Sequence, residues 1–479
     1  MNETQFSSTR MAAVRRPIVA TRLNIRIGML ACVLALAGAA PAAAAQEHAP
    51  VHPNSIKRYM FSTETFAAVE VEFAKLEVVL TAAPKAPAAG GTTWTTGTGA
   101  SGFSPPFAID HVGGRFHVYA ERRRPQHPVA PVPYVTQDVV FDTPDPGVAP
   151  VGTLTYPKSG GSFPGVVLVA GTGPHDRDAG MSLHKTLLVL ADHLTRQGFA
   201  VLRYDKRGVG LTGGERHPGP NTDDYAADAL AAVRFLKMQP NIHPGQFGIA
   251  GHSEGGIIAA MVAAEAPQDV RFIVLLGGTG LPGIEVKSLQ DAAARRADGM
   301  PEPLVLLNQT QERELLEIAA GKRDHQDAIL AMIAATEALP AQVKNKLEIP
   351  PEGIPAEAFE GLLSPWFRHF LSLDPRTYLE KVKCPVLALA GEKDLQVPPV
   401  ENLAAIKSAL ELGGNQHVTV RQLAGINHSL QTAGTGKASE YFLIEETVAP
   451  SVLALVSAWM KNVAQESAGA SKGSGAAVR

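Results

Sequence analysis

Beyond residue 134 the chain alternates short, continuously apolar runs with longer stretches that are apolar on one face. Residues 137–142 and 151–156 read as strands around a Pro/Gly turn, and 165–170 is an unbroken apolar run that ends in Gly171-Thr172-Gly173-Pro174. Such runs suit strands covered on both faces. Residues 199–204, 247–250, 272–276 and 386–390 repeat that signal, and 418–423 is strand-like. Between them, 183–197 reads as a helix closing at Gly198, 223–238 carries Tyr225, Ala229, Val233 and Leu236 on one face, and 256–265 is helical. Strand, helix, strand in this order predicts a mostly parallel sheet wound by right-handed crossovers, with its chemistry at the carboxyl ends of the strands. One interval breaks the rhythm. Residues 281–383, helical at 291–296, 312–320, 326–338 and 358–370, form too long a stretch for a structureless loop and predict a helical cap inserted into the core. The core is thereby split into 134–280 and 384–465, and 466–479 is expected to be a disordered tail.

Ahead of the core the pattern weakens. Residues 46–124 read as a small N-terminal β-containing module, with a strand at 114–121 and a Thr/Gly/Ala/Pro-rich loop at 81–106. Pro125, Pro128, Pro131 and Pro133 stiffen 125–133 towards polyproline II, as a spacer would require. Residues 1–45 have the profile of an export signal. Arg10, Arg15, Arg16, Arg22 and Arg26 precede an apolar run at 27–40, too short to span a bilayer, and Pro41 precedes the small residues Ala43-Ala44-Ala45. Cleavage after Ala45 predicts a periplasmic or secreted protein with no membrane span after signal removal. A retained N-terminal anchor and a lipoprotein at Cys32 are the alternatives.

Composition changes this picture in three places. With 45% hydrophobic and 19% charged residues, the 479-residue chain can bury a sizeable core. Loss of five arginines and one acid with the signal moves the net charge from −3 to −7, which offers no footprint for nucleic acid. Cys384 is then the only remaining cysteine, so no intrachain disulfide can form, and it reads as a small buried apolar residue.

The candidate chemistry begins at Gly251-His252-Ser253-Glu254-Gly255, a G-x-S-x-G elbow between a predicted strand and a predicted helix. Such a turn projects the serine hydroxyl alone above the sheet. A serine needs a base to take its proton and a carboxylate to orient that base. Asp394, after the strand at 386–390, and His428, after the strand at 418–423, follow Ser253 in the order the α/β-hydrolase topology gives. Glu392 is the rival acid. Two backbone N–H groups should face the tetrahedral oxyanion: that of Glu254, and that of Thr172 in the turn at 171–174, with Gly173 the rival donor. No CxxC, HExxH or Walker pattern is present.

The strings VLVAGTGPHDRD (167–178), DKRGVG (205–210), GHSEGG (251–256), SPWFRHF (364–370) and PVLALAGEKDLQVP (385–398) together resemble bacterial α/β-hydrolases of the esterase D type, related to the prolyl-oligopeptidase-like and dienelactone-hydrolase-like branches. The resemblance covers 134–461. It implies an α/β-hydrolase fold with a mostly parallel central sheet and a helical cap, hydrolysis of small-molecule carboxylic esters, and neither metal nor organic cofactor. Ala170 stands where the family commonly has histidine before the oxyanion turn. A peptidase or acyl-aminopeptidase, or a lactonase or acyltransferase, would use the same triad. Around the elbow, Glu254 either is neutralised structurally or reads a polar or cationic group of the substrate. Trp366 and Phe367 either line the acyl pocket or pack the cap, as does Phe370. Arg207, His175, Asp176 and Arg177 read as loop-ordering residues, and His252 as a neighbour of the serine too close to act as its base.

Overall fold

The computed structural model describes residues 108–112, 115–119 and 124–473, apart from 182–183, 215–218 and 442. Residues 1–45, where an export signal is expected, nearly all of 46–124 and residues 474–479 lie outside the described residues. Within that module, Ala108–Val112 and Arg115–Tyr119 pair antiparallel, the second where a strand is expected at 114–121.

Eight strands make the central sheet: β1 (Tyr134–Val140), β2 (Val151–Pro157), β3 (Phe163–Val169), β4 (Ala200–Tyr204), β5 (Ile242–His252), β6 (Phe272–Leu276), β7 (Val386–Gly391) and β8 (Val418–Leu423). Their spatial order is 1-2-4-3-5-6-7-8. Only β2 runs against the rest, antiparallel to both β1 and β4, while β4 to β8 and β3 pair parallel. β4, β6 and β7 are buried along their whole length, which is why they read as apolar runs.

Helices cover both faces. On one side α1 (Thr186–Arg196) and α9 (Pro450–Gly473) close a core around Val166, Leu168, Val274 and Leu389. On the other, α2 (Thr222–Lys237), α3 (Glu254–Glu265) and α8 (Pro399–Leu412) close a second core that continues into the insertion. The insertion between β6 and β7 contains α4 (Gly283–Ala297), α5 (Glu302–Ala320), α6 (His325–Glu337) and α7 (Pro365–Ser372).

Two expectations need correction. The helix expected at 358–370 is two elements, a 3-10 segment Ala356–Leu363 and then α7. Ser364 is extended and caps α7 by accepting from the Phe367 N–H at 3.3 Å, and Pro365 has no N–H with which to continue the preceding helix. The helix α9 runs through 466–473, where a disordered tail is expected, as a continuation of the helix that begins at Pro450. The proline-rich segment 125–133 is also bonded to the core. Gln126 accepts from the Thr447 and Val448 N–H groups and donates to the Val448 carbonyl at 2.6 Å, so a side chain supplies the bonds that the prolines lack.

Candidate active site

The elbow is built by close approach of β3, β5 and α3. Ser253 has φ 56° and ψ −122°, a strained conformation for a residue with a Cβ, and its N–H is fixed on the Leu276 carbonyl at 2.9 Å. A Cβ on Gly251 would overlap the Gly255 carbonyl, and one on Gly255 would overlap that of Val169. Both glycines are therefore required by packing. Ser253 also stands at the N-terminus of α3, where the first N–H groups have no intrahelical partner and the helix dipole is positive.

Asp394 and His428 meet as a buried pair, Oδ2 to Nδ1 at 2.8 Å. Asp394 Oδ1 accepts from the Gln396 and Val397 N–H groups at 2.9 and 2.7 Å, which orients the carboxylate. Nδ1 of His428 is thus the protonated nitrogen, and Nε2 is left to act as a base. Glu392, the rival acid, instead accepts from the Gly425 N–H at 2.9 Å. Gly277, with φ 58°, passes over the pair: a Cβ there would stand 3.3 Å from both Asp394 Oδ2 and His428 Nδ1. His252 does more than neighbour the serine. Its Nε2–H donates to the His428 carbonyl at 2.8 Å, and the two rings lie 4.8 Å apart. Burial first and the adjacent His428 second lower its pKa to about 3, so it stays a neutral donor.

The turn at 171–174 runs beside the nucleophile. A Cβ on Gly171 would come 2.9 Å from Ser253 Cβ and 3.5 Å from Ser253 Oγ. Behind this turn lies a group that sequence reasoning passes over. Lys206, buried at 3% exposure, donates from Nζ to the Gly171 carbonyl at 2.6 Å and to that of Gly173 at 3.3 Å. The same ammonium stands 3.4 Å from Glu254 Oε2 and 3.8 Å above the Tyr225 ring. The run DKRGVG contains this lysine, but no local pattern says that it turns to the Gly171 turn while Arg207 turns to Asp228.

Glu254 Oε1 accepts from Thr222 Oγ1 and from Trp366 Nε1, both at 2.8 Å. With no side-chain exposure and three donors, the carboxylate is spent inside the protein, which fits structural neutralisation and corrects the alternative of a contact with substrate. Phe367 is corrected likewise: at 2% exposure it packs in the apolar core. Trp366 is half-buried, stacked on Phe370 at 5.5 Å, and it ties the cap to the elbow. The loop residues find partners among themselves. Arg207 is bidentate on Asp228 at 2.7 and 2.9 Å, Arg177 is bidentate on Asp205 at 2.7 and 2.9 Å, and Asp176 accepts from the Asp178 N–H. Burial and the Lys206 charge lower the His175 pKa to about 4. A groove of about 900 Å³ between α2, α3 and Tyr378 is lined by none of Ser253, Asp394 and His428, so it is not the seat of this chemistry. Among the described residues, no group of three or more His, Cys, Asp or Glu could hold a metal ion, and no helix is long and apolar enough to cross a membrane.

Strand order, the single antiparallel strand, the elbow and the order Ser253, Asp394, His428 decide the fold. It is that of the α/β-hydrolases. A family profile described as serine aminopeptidase, S33, matches residues 180–329 of the chain, a stretch that includes Ser253. The chain is 26% identical to esterase EstD of Thermotoga maritima over 60% of its own length and 59% of that protein. It is 27% identical to the bifunctional esterase/perhydrolase DCH of Acinetobacter calcoaceticus over 42% of its own length and 67% of that protein. The solved structure of Est1E from Butyrivibrio proteoclasticus aligns with 69% of the chain and 99% of its own, at 16% identity and a TM-score of 0.37.

Proposed function

We propose that this α/β-hydrolase is a serine hydrolase that cleaves carboxylic esters of small to medium acyl chains through an acyl-enzyme. The observation that carries the proposal is the buried Asp394–His428 pair, joined through His252 to the neighbouring strained serine at a helix N-terminus. Ser253 Oγ attacks the ester carbonyl while His428 Nε2 takes its proton. The oxyanion accepts from the Glu254 and Thr172 N–H groups. His428 returns the proton to the leaving alcohol as the C–O bond breaks, then deprotonates the water that attacks the acyl-enzyme. Asp394 holds the ring and stabilises its cation. The relatives named as esterases support this substrate class. Residues 1–45 are proposed to direct export to the periplasm or beyond.

Amide hydrolysis is the second reading, and the description of the matching family profile favours it. A panel of nitrophenyl acyl esters and aminoacyl amides, run on wild type and Ser253→Ala, separates the two. Esters should dominate, and the alanine variant should lose at least about 10³ of the rate. Faster turnover of the amides would select the peptidase, and full activity in the variant would remove both readings.

A further inference from the structure

The proposed reaction gives no task to the buried ammonium of Lys206. Its position behind the turn at 171–174 suggests one. A peptide unit is planar and trans, so its N–H points opposite to its C=O. The Gly171 carbonyl and the Thr172 N–H belong to one unit. By holding that oxygen at 2.6 Å, Lys206 fixes the Thr172 N–H to point away from the ammonium. The second bond, to the Gly173 carbonyl at 3.3 Å, fixes the following turn residue, whose φ of 101° only glycine adopts readily. On its other flank the unit is pressed against Ser253, where a Cβ on Gly171 would come within 2.9 Å. A cation on the carbonyl also polarises the amide and strengthens its N–H as a donor.

We infer that Lys206 is the positioning residue of the oxyanion hole: it clamps the Gly171–Thr172 peptide with the N–H aimed at the substrate oxyanion, and Glu254 is its counterion. The inference rests on the hydrolase reading proposed above and deepens it. Glu254 makes the clamp tolerable in the interior, because an ammonium at 3% exposure is strongly desolvated and the carboxylate 3.4 Å away offsets that. Its other oxygen is held by Thr222 and by Trp366 of the cap, so the clamp is anchored to α2 and to the insertion.

Lys206→Met alone would strand the Glu254 carboxylate, so the decisive variant combines Lys206→Met with Glu254→Gln. It removes both charges, leaves the Glu254 backbone N–H in place and keeps an acceptor for Thr222 and Trp366. Two readouts are needed. Amide hydrogen exchange over residues 170–176 of the resting protein should quicken by about tenfold or more while the sheet strands keep their protection. Per active site titrated with a fluorophosphonate, kcat on a nitrophenyl ester should fall on the order of 10²-fold with KM within about threefold, and the preference for an ester over its thionoester should shrink. A purely structural role would lower the titratable fraction and leave kcat per site unchanged. Unchanged exchange at 170–176, or kcat per site within about twofold of wild type, would overturn the inference. Should wild type cleave neither esters nor amides, the hydrolase reading fails, and the exchange result alone decides whether the clamp exists.

Discussion

Ser253 holds a backbone conformation that costs on the order of 1–3 kcal/mol for a residue with a Cβ. Glycine relieves that strain. Ser253→Gly should therefore be inactive yet more stable than wild type by about 1 kcal/mol in urea unfolding, and a loss of stability would show that the elbow is not strained. His252 holds the backbone of the candidate base through the His428 carbonyl. His252→Ala should lower kcat by about 10- to 100-fold with little change in KM, since a misplaced ring spoils proton transfer more than binding. At this scale the sequence was informative wherever chemistry is local. Ser253, Asp394 and His428 follow from a five-residue turn and from strand ends. Structural neutralisation of Glu254 is one of its two readings, but Lys206 as the neutralising cation was not legible, because their meeting depends on α2, the turn at 171–174 and the cap arriving at one place.

Among the elements, the cap is the least legible from pattern. Its inner faces carry charge as well as apolar residues: Arg295 on α4 is bidentate on Glu312 of α5, and Lys287 is paired with Asp291, all buried. The pattern shows only 291–296 and 312–320 as helical, whereas the helices run over Gly283–Ala297 and Glu302–Ala320. Burial pushes the Glu312 carboxyl up and Arg295 opposes it. Glu312→Ala should destabilise the cap by about 3–5 kcal/mol, whereas Arg295→Met combined with Glu312→Leu should be close to neutral. Limited proteolysis within 281–383 and denaturant unfolding measure both. Equal losses in the two proteins would mean that the pair is not what holds α4 to α5. Ser364 and Pro365 mark a break that sequence does contain, in an N-cap residue followed by proline, but a continuous apolar face hid it.

For the whole molecule, the sheet order was legible only as a class. Alternating buried strands and helices dictate a wound parallel sheet, whereas the antiparallel course of β2 and the order 1-2-4-3-5-6-7-8 are set by long-range pairing. Stability of that assembly should depend on pH through rings kept neutral by burial. Burial lowers His175 and His184 to about 4 and His252 to about 3, from an ordinary value of 6.5. The unfolded chain takes up these protons near pH 6.5 and the folded one does not. Stability is therefore fully present above about pH 6.5 and is lost as pH falls towards 4, by up to about 3 kcal/mol per ring. Urea unfolding at pH 7.5, 6, 5 and 4.5 should show that decline, and His184→Gln should shallow it. A flat profile would contradict the assignment.

The proposed reaction passes through an acylated Ser253. Intact mass measured after acid quench of a nitrophenyl acetate reaction tests it most directly. One acetyl group per chain, carried by the peptide containing Ser253 and absent from Ser253→Ala, is the predicted result. An acetyl on another residue, or turnover by wild type that does not depend on Ser253, would contradict it.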